Sequence, residues 1–364
     1  MIRALCFAVL LCALPGLRAE QAAGIESSDA SAAGKGIAPA PLQTQSAGGR
    51  GQLTSVEEND VFTPIGQDQH YTQGAKILYL SPSLDPNSCW ARPFDWLHSI
   101  FLFGRPEFPD NRIEWTVLGQ SLFTPKDLKR SDPSTRDRPY AGWLYTGVNF
   151  IQDDDSRELT SFELLGGVVG SYALGRQTQN DFHVFEGSSK AKGWGHQLRN
   201  EPALVASWER KWRLIHEFGN HFGVEFIPDA GISVGNVFDY AEAGGLFRWG
   251  RGLKANWGPD FIRPGYSGTS YFSPERGGTD FGFNLYTGFQ GRAIARNIFL
   301  DGNTFANSRS VSKVPVVGDA FVGAQLYYKD WVRLGFSLLV RSPEFYHQQG
   351  VDLFGSFNFG FTVF

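Results

Sequence analysis

The chain has 364 residues, a formal charge of −4 and 42% hydrophobic residues. That apolar content excludes global disorder, and mild acidity without a basic tract argues against a nucleic-acid partner. Glycine (43) and aromatic residues (31 Phe, 12 Tyr, 10 Trp) run high together, which favours many short strands with tight turns over long helices.

The N-terminal stretch "MIRALCFAVLLCALPGLRAEQ" sets Arg3 before an apolar core from Ala4 to Leu14, with a cleavage point after Ala19. This is the pattern of a secretory signal peptide, expected to span residues 1–19. Cys6 and Cys12 leave with it, so only Cys89 remains and no internal disulfide is expected despite export. Residues 20–52 are small, polar and glycine-rich and read as a flexible lead-in. The folded body is expected at 53–364. It lacks an apolar run of about 20 residues, so no membrane-spanning helix is expected, but a barrel crosses by alternation instead.

Alternation follows. "GAKILYLSPS" reads as a strand, and "RIEWTVLGQSLF" sets Ile113, Trp115 and Val117 on one phase with Glu114 and Thr116 on the other. "GWLYTGVNFIQ", "RELTSFELLGGVVG", "DFGFNLYTGFQGRAIARNIF", "DAFVGAQLYYKDWVRLGFSLLVRS" and the long run from Glu201 to Gly250 continue it. Roughly ten to twelve strands result, joined by Gly, Asp, Asn and Pro turns. Small or charged residues on one phase and large apolar groups on the other fit an all-β transmembrane antiparallel β-barrel with a polar lumen. A soluble sandwich, which would bury the apolar phase, is the alternative. In the last strand Phe357, Phe359, Phe361 and Val363 share a phase, and Phe364 falls on the other.

Polar clusters interrupt this pattern. "EEND" supplies carboxylates at Glu57, Glu58 and Asp60 and an amide at Asn59. Such hard oxygens suit Ca2+, although the run lacks EF-hand spacing and also reads as a solvated loop. Gln179 and His183, four apart in "QNDFHVF", share a face on a helix and equally on a strand. Imidazole titrates near neutrality, so His183 is a candidate general base that takes a proton from water. Structural or metal-binding roles are its alternatives, and His70 is a rival base. Gln179 would orient His183 or pack in a hydrogen-bond network. Tyr140 and Trp143 fit an interfacial belt or simple packing. No GxSxG elbow is present, which weakens an acyl-enzyme route. HExxH is absent, and His216 and His221, five apart, would point to opposite faces of a strand, which weakens a zinc hydrolase.

The stretches "ENDVF", "DQHYTQG", "GQSLFTPKDL", "RDRPYAGWLYTG", "QTQNDFHVF", "KGWGHQLRNEP", "RNIFLDGNTF" and "RSPEFYHQQG" occur in order across nearly the whole body. In them the chain resembles the outer-membrane lipid A 3-O-deacylase family. The resemblance implies a twelve-stranded barrel in the cell outer membrane, and a monomer is expected, with a dimer left open. It also implies a Ca2+-dependent hydrolytic site between the barrel wall and the outer leaflet, with lipid A or lipopolysaccharide as substrate. His183 would be the base, oriented by Gln179. Asn59 and Asp60 would hold the ion, with Glu58 either joining them or only bracing the strand, and Thr72 would hold substrate or a metal-bound water. Lipid A carries phosphates, for which Arg138, beside Arg136, and Lys192 are candidates, since guanidinium groups pair with phosphate bidentately. A bracing role for Arg138 through Asp137 or another acid is its alternative. The chain departs from the family pattern at Gln73, commonly asparagine, and at His70, often arginine. A phospholipase-type barrel hydrolase and a non-enzymatic barrel are the alternative functions.

Overall fold

A computed structural model of the chain describes residues 50–63, 69–100, 102–106, 109–187, 189–264 and 268–363. The expected signal peptide, nearly all of the lead-in and Phe364 lie outside the described residues.

The strands are β1 Gly51–Asn59, β2 His70–Leu80, β3 Pro109–Thr124, β4 Ala141–Asp154, β5 Glu158–Val169, β6 Glu201–Trp212 continued by Leu214–Gly219, β7 Phe222–Gly235, β8 Phe238–Arg251, β9 Phe281–Asn297, β10 Val316–Tyr328, β11 Val332–Arg341 and β12 Asp352–Val363. The two pieces of β6 share one register against β7, with Lys211 opposite Asp229 and Leu214 opposite Phe226. Every strand pairs antiparallel with its chain neighbours. β1 pairs with β12 from Gly51↔Val363 to Asn59↔Gly355, which closes a twelve-stranded barrel. The first strand begins at Gly51, slightly before the expected start at Leu53.

The alternation is inverted relative to a soluble protein. On β9, Phe281, Leu285 and Phe289 are 44–53% exposed, while Asn284, Gln290 and Arg292 are buried. Ile232, Val234, Phe247, Val322, Phe336 and Phe361 extend the exposed apolar face over β7 to β12. That arrangement excludes a soluble sandwich and places the outer wall in lipid. At the end bearing Gly51 and Val363, Phe222, Trp249 and Phe283 lie 5.8–6.3 Å apart by ring centroid, and Tyr328 meets Trp331 at 5.8 Å. This is an interfacial girdle. Tyr140 and Trp143 are not part of it: both are buried, and Trp143 stacks on Tyr145 at 4.1 Å inside the barrel.

A bulge breaks the simple alternation of β3. The register shifts against both neighbours near Val117 and Leu118, and both side chains are exposed. Beyond it Phe123 points inward and Leu122 outward.

The lumen is filled. The connection between β8 and β9 enters the barrel, where Lys76 binds Asp260 at 2.7 Å and Arg112 Nη1 donates to the Phe272 carbonyl at 3.0 Å. The backbone N–H groups of Ile262 and Ser270 donate to Glu58 at 2.9 Å and Glu114 at 2.7 Å, and the Tyr271 hydroxyl donates to Asp110 at 2.7 Å. Lys76, Arg112, Glu58, Glu114 and Asp110 of the strands are thus partnered by an inserted segment. A short helix, α1 (Arg92–Ser99), packs Phe94 and Leu97 against Ile113 on the outer wall near the girdle. Cys89 is exposed and unpaired.

Candidate active site on the outer wall of the barrel

At the end of β1, alternation sends Glu58 inward and Asn59 outward. The Glu58 carboxylate accepts from Tyr71 Oη at 2.8 Å and from the Ile262 N–H at 2.9 Å, both in the lumen. It therefore ties β1 to the inserted segment and faces away from Asn59. The chain then makes a single 3-10 turn, Asp60–Phe62. Asn59 caps it, its Oδ1 accepting from the Val61 N–H at 2.8 Å, and Asp60 Oδ2 accepts from the Gln69 N–H at 3.2 Å. The turn lies against β12 at Gly355, where a Cβ would come within 2.6 Å of Phe62 Cβ. Asn59 and Asp60 are both buried there.

On β2 the register slips between Tyr71 and Gln73, leaving Thr72 as the extra residue of a bulge. Bulges re-aim side chains. Here the Thr72 hydroxyl meets that of Thr124 on the outward face of β3 at 2.6 Å. Gln73 uses its longer amide on Glu57 at 3.0 Å.

Gln179 and His183 belong to a helix, α2 (Gly175–Glu186). Gly175, Gln179 and His183 are its buried stripe, while Arg176, Gln177, Asp181 and Val184 are exposed. The stripe faces the barrel. An added Cβ on Gly175 would sit 2.7 Å from Trp194 Cη2 and 2.9 Å from Leu122 Cδ2, and one on Gly142 of β4 would sit 3.1 Å from Ala173 Cβ. Leu122 and Gly142 lie on the outward phase, so α2 rests on the outside of the wall. Gln120 Nε2 fastens the turn before it by donating to the Ala173 carbonyl at 2.7 Å. Trp194 Nε1 donates to Gln179 Oε1 at 2.7 Å and its ring lies 4.9 Å from Tyr140. His183 Nδ1 is 2.7 Å from the Ser189 carbonyl oxygen. A carbonyl only accepts, so Nδ1 carries the proton and Nε2 is the accepting nitrogen.

Asn59 and Asp60, Thr72 with Thr124, and the Gln179–His183 stripe thus follow one another across the outer faces of β1 to β4. Three other candidates lie apart from this row. Glu58 is in the lumen. His70 is buried, with Nδ1 2.6 Å from Asp352 Oδ1 and its ring edge-on to Phe345, so it links β2 to β12. Arg138 is 0% exposed, donates from Nη1 to Glu344 Oε2 at 2.9 Å and lies 4.7 Å above the Phe123 ring. A guanidinium so enclosed braces the loops through Glu344, the alternative role expected for it, while its Nε and Nη2 are buried without a hydrogen-bond partner among the described residues. Lys192 is exposed, and its N–H donates to the Leu128 carbonyl at 2.9 Å beside the Trp194 cluster. Lys126, Lys129 and Arg136 are exposed on the adjoining loop. Thr124 and Lys126 went unremarked in the sequence although both lie in "GQSLFTPKDL"; only the bulge at Thr72 gives Thr124 its place.

A closed barrel with a lipid-facing belt, and a helix pressing histidine and amide side chains onto its outer wall, defines an outer-membrane β-barrel protein with a wall-mounted polar site. The family model described as "Outer membrane protein LpxR" matches residues 30–363, and the chain belongs to that family of outer-membrane lipid A deacylases. The structure of LpxR from Salmonella typhimurium is similar to it with a TM-score of 0.66 at 18% identity, over 86% of this chain and 100% of that one. The β domain of the Bordetella autotransporter BrkA aligns with a TM-score of 0.39 at 9% identity, over 86% of this chain and 98% of that one. No curated protein matches the sequence. The chain is accordingly an outer-membrane, lipid A-modifying hydrolase of the LpxR type.

Proposed function

We propose that the protein hydrolyses the ester-linked acyl chain at the 3-position of lipid A, by water attack that His183 assists and Ca2+ supports. The observation that carries this reading is the Gln179–His183 stripe of α2 held on the lipid side of the wall, in one row with Asn59, Asp60 and Thr72. An amphiphile can meet such a row without leaving the membrane: its chains lie along the apolar wall while its ester approaches the polar residues. Apolar contact then positions the ester, and binding energy is used for orientation.

His183 Nε2 takes a proton from water, whose oxygen bonds to the acyl carbon. The ester C–O bond breaks, and the leaving 3-oxygen recovers the proton from His183. Gln179, its amide fixed by Trp194, keeps the imidazole side of α2 in register. Thr72 and Thr124 offer hydroxyls to the reacting groups. Asn59 Oδ1 and the Asp60 carboxylate are hard oxygens, the donor type that fits Ca2+, and would hold it. Among the described residues no group of three acid, histidine or cysteine side chains gathers to bind a metal. The remaining positions around the ion therefore fall to carbonyls, water and substrate. When bound, the ion supplies Lewis-acid polarisation of the ester carbonyl. Lys192 and Lys126, both exposed, would be the most accessible cations for lipid A phosphate.

The test is mass spectrometry of hexa-acylated lipid A incubated with folded protein in detergent, with a chelator and with calcium restored. Loss of the 3-linked unit, stopped by chelation and recovered with calcium, is the expected result. Loss of a chain from another position would overturn the positional assignment, and full activity in chelator would overturn the ion.

A further inference from the structure

A cavity of about 810 Å³ opens at the girdle end of the barrel, among the β6–β7 and β10–β11 hairpin tips, the end of β8 and the approach to β9. Its lining sets basic side chains with acids: Arg251 and Lys329, beside His221, face Glu275, Asp280 and Asp330. Among the described residues only one long ion pair, Lys329 to Asp280, joins these charges. Arg251 Nε is buried with no hydrogen-bond partner among the described residues. Lys329 Nζ is 4.0 Å from Asp280 Oδ2, and instead lies 5.6 and 5.4 Å over the Tyr328 and Trp331 rings.

The cavity adjoins the lipid-facing wall. Arg251 is the last residue of β8, on the outward phase that carries exposed Trp249 and Phe247. Its cross-strand neighbours are Phe222 and Phe283, both in the girdle, and Leu285 and Phe289 continue the apolar face above them. An anion site, a cation site and an apolar track therefore meet within one span. Free phosphate would use only the first, and a hydrocarbon chain only the last.

We propose that this cavity seats the headgroup of a zwitterionic phospholipid of the ethanolamine type. The phosphodiester lies against Arg251 and Lys329, the ammonium faces Glu275, Asp280 and Asp330, and the acyl chains run up the wall past Phe283 and Leu285. Charge-assisted contacts to both signs select the zwitterion over an anionic lipid, and the aromatic rings at the headgroup level fix its depth. The seat is built by β6 to β11, whereas the hydrolytic row is on β1 to β4, so the two sites are separate. The seat does not depend on the proposed reaction.

Native mass spectrometry of the detergent-solubilised protein tests this, with phosphatidylethanolamine, phosphatidylglycerol, glycerophosphoethanolamine or inorganic phosphate added. The wild type should retain one phosphatidylethanolamine in preference to phosphatidylglycerol, and the two soluble phosphates should not displace it. The Arg251→Ala/Lys329→Ala pair should weaken retention by about tenfold or more, the equivalent of losing one charge-assisted contact. Lys329→Ala alone, at a hairpin tip, keeps the test open if the pair fails to fold, and should weaken retention in the same direction. Equal retention by wild type and variants, equal retention of the two lipids, or displacement by soluble phosphate would each overturn the proposal.

Discussion

Arg138 has no exposed surface, and Glu344 is the acid that pairs with it. A buried ion pair whose partner is removed is typically destabilised by about 3–5 kcal/mol, so Glu344→Ala should cost the fold an amount of that order. Burial pushes the Glu344 carboxyl up, but Arg138, Arg341 and Arg292 together outweigh burial and hold it below the usual glutamate range. A depressed folded-state value stabilises the fold above the unfolded carboxylate range, near about pH 4.3, and that contribution is lost as pH falls through the folded value. Heat-modifiable gel mobility across acidic pH should show wild type losing stability there, with Glu344→Gln giving a flatter profile. Superimposable profiles would contradict the pairing. A bracing role for Arg138 was legible in the sequence, but not its partner, because the nearest acid there is Asp137 and Glu344 lies 206 residues away. Glu58 misleads for a related reason. It stands beside Asn59 in sequence, but strand alternation turns the two to opposite faces of the wall.

Among the elements, α2 does most to assemble the site. Its docking depends on the missing side chain of Gly175, where a Cβ would press on Trp194 and Leu122. Gly175→Val should lift the helix and lower turnover at least about tenfold, while the barrel, whose pairing does not involve α2, keeps its heat-modifiable mobility. Unchanged turnover would show that the stripe does not need the wall. The four-residue spacing of Gln179 and His183 was readable in the sequence, but the element was not, because an even spacing puts both on one face of a helix or of a strand. The bulge at Thr72 was equally invisible. An alternating pattern identifies a strand without showing where its register slips, and it is the slip that turns Thr72 towards Thr124.

For the whole molecule, the alternation was legible but not which phase meets lipid: Phe357, Phe359 and Phe361 share a phase, and the structure puts that phase on the lipid side of β12. The contents of the lumen were not. The segment between β8 and β9 reads as a loop of glycine, proline and aromatic residues, and its partners are scattered from Gln52 to Asn358. A barrel so filled should not conduct. In planar bilayers the protein is expected to show no steady ohmic pore, and a porin-sized conductance would contradict the packing of Asp260, Ser270 and Tyr271 against the inner wall. The inserted segment also leaves the outer wall as the surface for the proposed hydrolysis of a membrane-embedded ester. The most direct test is lipid A turnover by wild type and His183→Ala, read by mass spectrometry, with both proteins shown to be folded by heat-modifiable mobility. The account predicts a loss of about 10²–10⁴-fold for His183→Ala, the usual contribution of a general base. Near-wild-type turnover by the folded variant would contradict it.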